Sequence, residues 1–399
     1  MSQSVPLITI LSFSPIHRDA RVLRQVRYLW RHFRLRVVGY GAPDEVAGDI
    51  SEMVSLPMPA GFRLLRRART LALLLLGRIL PRLAYESWYW GREEHKAALT
   101  ALIDGTPRAI HANDWTALPA AIKASEITGA QVILDLHEYS PEELENRWFW
   151  RVLYKPMVDY FLRTYASGIS AAITVSGSIA KKYWTEYSLR PIVVMNAPEC
   201  PGPPEFRSTD PSKVRLIHHG GAVPDRRLEL MIETVARTKP RYTLHFMLTE
   251  PTASSRKYVS QLKSLARQIA PGRVFFHDSV PPSDIIDTLS AFDMGIYLLP
   301  PNNFNHMAAL PNKFFDFVAA GLSVCIGPSP EMTALTRHFG FGVVACSFEP
   351  ERVADILNKL SASDIDYMKL KAGEARKILN ADVEMGKLTA LYSELCWRQ

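Results

Sequence analysis

Short aliphatic and β-branched runs alternate with stretches of helical period along this chain, and that alternation is what most restricts its fold. Strands separated by helical segments are the pattern of parallel α/β architecture, not of a sandwich or a bundle. The clearest unit comes first. Leu7 to Phe13 reads as a buried strand, Ser14 to Arg18 as a loop, and from Asp19 the residues Val22, Val26, Leu29 and Phe33 fall on one helical face. Arg34 to Tyr40 returns as a strand, and similar pieces follow at Arg108 to His111, Gln131 to Leu136 and Ala171 to Ser176.

The segment Asn196 to Lys213 holds five prolines and almost no periodicity, so it reads as a linker. The rhythm then restarts. Val214 to His218 is a strand, Gly220-Gly221 a tight loop and Arg227 to Ala236 a helix with Leu228, Met231 and Ile232 inward. Further strands are predicted at Tyr242 to Leu248, Val274 to His277, Met294 to Leu299 and Ser323 to Ile326, and a last helix at Val383 to Trp397. Two halves of one rhythm predict two Rossmann-like domains facing a central cleft, with ligands at the carboxyl ends of the strands. The expected domains are 1–198 and 199–382.

Composition removes several classes. The longest aliphatic run, Leu71 to Leu76, ends at Gly77, far short of the roughly 20 apolar residues a membrane span needs. The opening MSQSVPLITILSF has no basic stretch or cleavage site, and four cysteines without a C-x-x-C pair are no disulfide scaffold. The expectation is a reduced, cytoplasmic chain. Its net charge of +7 is confined to the first quarter, where 15 Lys/Arg meet 8 Asp/Glu.

The densest candidate site is Leu310 to Gly321. Pro311 suits the first helical position, amides at that helix start favour a phosphate, Lys313 adds a cation, and Asp316 lies one turn on along the same face. The bland alternative is a capped core helix with Lys313 and Asp316 as a solvated pair. A second phosphate-like loop is His219 to Arg227, where Gly220 and Gly221 let backbone approach an anion and Arg226 reaches it from the next helix start; an ordinary strand-to-helix turn explains it equally well. Asp135-Leu136-His137-Glu138 ends a strand, where His137 can meet a sugar hydroxyl or handle a proton. His111 to Asp114 repeats that placement, and Asp19 reads as a helix cap beside solvated arginines. There is no G-x-G-x-x-G, P-loop, G-x-S-x-G or metal-ligand spacing.

In order, D-A-R-V-L (Asp19 to Leu23), H-A-N-D (His111 to Asp114), D-L-H-E (Asp135 to Glu138), V-S (Val175, Ser176), N-A-P (Asn196 to Pro198), H-H-G-G…D-R-R-L-E (His218 to Glu229) and L-P-N-K-F-F-D-F-V-A-A-G (Leu310 to Gly321) make the chain resemble GT-B glycosyltransferases close to glycosyltransferase family 4. The resemblance spans nearly the whole chain. It implies a C-terminal helix (383–399) crossing back to the first domain, an acceptor held by the first domain and a nucleoside-diphosphate sugar held by the second. Arg226 and Lys313 match the family's diphosphate-neutralising residues, Asp316 the carboxylate on the ribose, and His137 a histidine on the transferred sugar. Gly220, Gly221, Pro311 and Asn312 line the same donor site. No metal and no further cofactor is implied. Three positions depart from the pattern: Ala308 stands where the first Glu of an E-x7-E pair belongs, Asp316 replaces its second Glu, and Arg227 stands where Gly is usual.

Residues 59–96 interleave Arg63, Arg66, Arg67, Arg69, Arg78 and Arg82 with leucines and end in Trp88-Tyr89-Trp90. Either the segment lies on an anionic membrane, which would make the protein peripheral on the inner face, or its leucines are core. The expected function is sugar transfer to a glycan or lipid-linked acceptor in cell-surface polysaccharide or glycolipid synthesis. The alternatives are a nucleotide-sugar epimerase of the same fold and a non-catalytic nucleotide or glycan binder. Nucleic acid is not expected, because no stacking aromatics on a basic sheet are present.

Overall fold

A computed structural model of the chain describes residues 5–41, 52–58, 63–200, 202 and 204–397. Residues 59–62 and the Arg63 side chain of the basic segment, Pro201 and Pro203 of the linker, and the terminal Arg398 and Gln399 lie outside the described residues.

The chain forms two compact units, Met1–Met195 with Met385–Gln399, and Asn196–Glu384. The first unit is built on seven parallel strands: β1 (Leu7–Pro15), β2 (Arg34–Tyr40), β3 (Glu52–Ser55), β4 (Ala109–Asn113), β5 (Gln131–Leu136), β6 (Ala171–Thr174) and β7 (Ile192–Val193). They lie in the order β3-β2-β1-β4-β5-β6-β7. The second unit holds β8 (Val214–Gly221), β9 (Tyr242–Thr249), β10 (Val274–His277), β11 (Met294–Tyr297), β12 (Ser323–Ile326) and β13 (Gly342–Val344) in the order β10-β9-β8-β11-β12-β13. Among the described residues every strand-to-strand pairing is parallel. β4, β11 and β12 are buried along their whole length, as a sheet covered by helices on both faces requires.

The strand order reverses between β1 and β4 in one sheet and between β8 and β11 in the other. At such a point neighbouring crossovers run to opposite faces, which opens a crevice at the carboxyl ends of the two strands.

Several boundaries differ from the sequence reading. β8 runs on through Gly220 and Gly221, pairing Gly220 with Leu248 and Gly221 with Thr249, so the two glycines end a strand instead of forming a tight loop. A 3-10 turn, Pro224–Arg226, follows, and the helix begins only at Glu229, so Arg226 closes the turn and does not start the helix. Pro311 is the extended residue before the helix Asn312–Ala319, not its first member. The last helix begins at Ala381, two residues early. Its first turn belongs to the second unit and its remainder to the first, where Tyr392 is fully buried beside Phe33. Trp88 and Tyr89 are interior, not interfacial aromatics, whereas most leucines of the helix Arg63–Leu76 are exposed and so not core.

Candidate functional site

In the second unit, the carboxyl ends of β8 and β11 carry the groups that the sequence singled out. Lys313, in the first turn of the helix Asn312–Ala319, is 6% exposed, which excludes the solvated-pair reading. Its Nζ lies 3.4 Å from His218 Nε2 and 4.9 Å above the Tyr297 ring. His218 Nδ1 stands 3.0 Å from the Ile296 carbonyl, which can only accept, so Nδ1 carries the hydrogen and Nε2 faces Lys313 as an acceptor. The His218 ring in turn stacks on Tyr297, 5.6 Å between centroids. Burial, followed by the Lys313 charge, holds His218 well below the usual histidine range and lowers His219 to about 3, so both rings are neutral near pH 7.

Two cations remain. Burial holds the Lys313 amine well below the usual lysine range; Arg226 pushes it the same way and Asp316 pulls against both. Both cations lie against the glycines that end β8. A Cβ on Gly220 would come 3.2 Å from Lys313 Nζ, and one on Gly221 would come 3.8 Å from Arg226 Nη1. Gly220 also has φ +106, a conformation that side chains disfavour. Gly220 thus keeps backbone open beside Lys313, and Gly221 brings the strand end within ordinary contact distance of Arg226. The first-turn amides of the Asn312–Ala319 helix add partial positive charge. Asp316, one turn on, stands 3.4 Å from His219 Nε2, Asn312 is exposed and Pro311 half-buried. A site with this charge suits a diphosphate, with Asp316 available to hydroxyl groups. Arg227 has φ +51 and ψ 51, the left-handed region, which explains why a pattern with glycine there would be the relaxed one.

His137 belongs to the first unit and is grouped with different partners. Its Nε2 lies 3.4 Å from Asp135 Oδ2 and 3.3 Å from Asn113 Oδ1. Asp135 is fully buried and takes two hydrogen bonds from Arg21, Nε to Oδ2 at 2.7 Å and Nη2 to Oδ1 at 2.8 Å, with a further one from Gln25. Burial raises the Asp135 pKa, but Arg21 and His137 outweigh it and hold the carboxyl well below its usual range. The same carboxylate overcomes burial at His137 and leaves that pKa raised. His111 Nε2 lies 3.6 Å from Asp135, and its Nδ1 lies 2.6 Å from the hydroxyl of Tyr392.

Asp19 caps the first helix, accepting from the Arg21 and Val22 amides as expected, and Arg18 is exposed. Arg21 is not solvated; it is the buried partner of Asp135. Sequence reading missed Arg21, Gln25, Asp135, His218 and Tyr297 as members of these clusters. A signal existed for three of them: Asp135, a carboxylate inside the apolar run Val132 to Leu136, must find a cation, and Arg21 and Gln25 share a helical face four residues apart. Among the described residues no three His, Cys, Asp or Glu side chains cluster as metal ligands would.

No protein-family model matches the chain, and no curated protein is similar to it in sequence. Solved structures are. HepE of Anabaena, in complex with UDP-glucose, is 14% identical with a TM-score of 0.69, covering 98% of this chain and 100% of its own. Sucrose-phosphate synthase of Thermosynechococcus elongatus is 12% identical with a TM-score of 0.71, covering 98% and 99%. A glycosyltransferase of Rickettsia africae is 10% identical with a TM-score of 0.68, covering 99% and 100%. At these identities the likeness is one of fold, and the fold is the two-domain GT-B α/β type.

Proposed function

We propose that the chain is a hexosyl-type glycosyltransferase that takes its sugar from a nucleoside-diphosphate donor bound by the second unit. The observation that carries this reading is the pair of cations, Arg226 and Lys313, set against Gly220 and Gly221 at the β8/β11 switch point. Transfer breaks the bond between the anomeric carbon and the diphosphate oxygen, and negative charge builds on the departing diphosphate. Fixed cations and helix amides already aimed at that charge stabilise it more in the transition state than in the ground state. Lys313 is well suited to this role because it is already desolvated. Asp316 holds ribose hydroxyls, and Pro311 and Asn312 shape the mouth of the pocket. In the first unit His137, oriented by Asp135 and Asn113, donates to a hydroxyl of the transferred sugar.

Support from the comparisons is of the same kind: HepE is solved with UDP-glucose, so UDP-glucose is the first donor to try here. The acceptor is read as a glycan or a lipid-linked saccharide of the cell surface, held by the first unit. An epimerase of this fold needs several carboxylates for proton transfer at carbon, whereas this cluster is built from two cations, two neutral histidines and Asp316.

The test is a thermal-shift panel of UDP-, GDP- and dTDP-sugars. One nucleotide family should raise the melting temperature, by about 2.7 kcal/mol of stabilisation at a hundredfold excess over its Kd. No stabilisation by any member of the panel would refute the donor site.

A further inference from the structure

We infer that the helix Arg63–Leu76 and the turn after it form a docking surface for a membrane bearing anionic headgroups. This inference rests on the first unit alone and is independent of the donor reading. Leu64 and Leu65 are 78% and 72% exposed, and Leu71, Leu75 and Leu76 are exposed with them. At about 100° per residue these leucines, with Ala68 and Ala72, cover roughly 140° of one face. Leu74 points the other way and is buried, which fixes the apolar stripe outward. Arg67 falls just beyond one edge of the stripe and Arg69 just beyond the other. Such flanking lets long cationic side chains reach up to headgroups while the leucines enter the acyl boundary.

The surface continues past the helix. A Cβ on Gly77 would stand 2.0 Å from the Tyr85 ring, so only glycine lets the chain turn this closely onto the next helix, Pro81–Trp90. Ile79 (79% exposed) and Leu80 before that helix and Leu83 on it line a largely apolar hollow whose charged members are Arg82 and Glu86. The stripe is anchored, not loose: Arg78 Nη1 donates to the Val152 carbonyl at 3.3 Å.

Charge selects the occupant. From Met53 to Tyr85 the sequence has no Asp or Glu, and it carries Arg63, Arg66, Arg67, Arg69, Arg78 and Arg82. A second copy of the chain would set these arginines against each other with Glu86 as the carboxylate at the hollow, already accepting from Trp90 Nε1 and from the Tyr160 and Tyr165 hydroxyls. An anionic bilayer supplies negative charge over a wide plane with apolar matter directly beneath it, matching both components at once. Among the described residues no helix is long and apolar enough to cross a membrane, so the contact is one of lying on the surface.

The full chain should co-float with phosphatidylcholine vesicles containing 30% phosphatidylglycerol, and binding should fall in 0.5 M salt and vanish on pure phosphatidylcholine. Replacing Arg66, Arg67 and Arg69 together by Gln should lower partitioning about 100-fold, from about tenfold or less for each cation at the surface. The double variant Leu64→Asp, Leu75→Asp alters exposed positions only; it should lose binding while keeping its circular dichroism and any nucleotide-induced thermal shift. Failure of the wild type to bind anionic vesicles at low salt would overturn the inference. So would full binding by the Asp variant, or an oligomer in solution that the same variant dissociates, which would assign the face to a protein partner.

Discussion

Replacing Lys313 by Met should make the ligand-free protein more stable and at the same time remove its response to nucleoside diphosphates. Met keeps the length and apolar bulk of the lysine stem but carries no charge. A buried ion costs several kcal/mol of lost hydration, and Lys313 recovers only part of it: a 3.4 Å contact to a neutral histidine and the Tyr297 ring, worth about 0.5–2 kcal/mol, and the pull of Asp316, which burial and Arg226 outweigh. Arg226 adds repulsion. Apolar replacement of buried ion pairs has ranged from neutral to stabilising by about 1–4 kcal/mol, and Lys313, whose attractions burial and Arg226 outweigh, has less to lose than such a pair; for a unit of this size about 2–4 °C accompanies each kcal/mol. The Met variant should therefore melt at least about 2 °C above the wild type.

The sign of the pH dependence follows from the lowered lysine. The unfolded chain keeps the Lys313 proton to about pH 10.4, while the folded chain releases it earlier. Wild-type stability therefore rises with pH between the lowered value and about 10.4, by up to about 1.4 kcal/mol per unit. The advantage of Met is largest on the acid side of that window and shrinks across it. A bound diphosphate favours the charged lysine, so wild-type affinity for UDP should weaken as pH rises through the same window. Melting curves at several pH values, with and without UDP, measure all three effects. A Met variant that melts below the wild type without ligand, and gains as much as the wild type from UDP, would refute the reasoning.

Further outcomes are expected elsewhere. Asp135→Asn strands the buried Arg21 and should cost about 3–5 kcal/mol in urea titrations at pH 7. Because the Asp135 pKa is lowered in the folded state, its contribution is present above about pH 4 and is lost as pH falls through that lower value; the Asn variant should lack this acid limb. Tyr392→Phe removes the partner of His111 Nδ1 and should destabilise by about 1–3 kcal/mol, read from the denaturation midpoint. Arg227→Gly relieves a left-handed residue whose exposed pair with Glu229 is worth little, so stability should rise by about 1 kcal/mol.

The parts of this structure that could be read from sequence are those set by local pattern. β2, β5, β10 and β12 have the bounds that apolar periodicity gave, and the Asp19 cap follows from side-chain chemistry alone. The strands that escaped, β3, β7 and β13, have four, two and three residues, too few to show a period. β8 was cut short because glycine reads as punctuation, whereas pairing with β9 carries the strand through both glycines. Gly220, Gly221, Arg226 and Lys313 were each visible as residues of phosphate chemistry. What sequence could not supply was their convergence, or the burial of Lys313, since both depend on β8 and β11 lying side by side. The Arg21–Asp135 pair spans 114 positions and is invisible to any local pattern.

The claim that Arg226 and Lys313 hold a diphosphate is tested most directly by calorimetric titration of UDP, GDP and dTDP, each beside its nucleoside monophosphate, into the wild type and Arg226→Ala. One diphosphate should bind more tightly than its monophosphate, and Arg226→Ala should weaken that diphosphate at least about tenfold, as the loss of a charge-assisted contact requires. Equal affinity for diphosphate and monophosphate, unchanged in Arg226→Ala, would contradict the account.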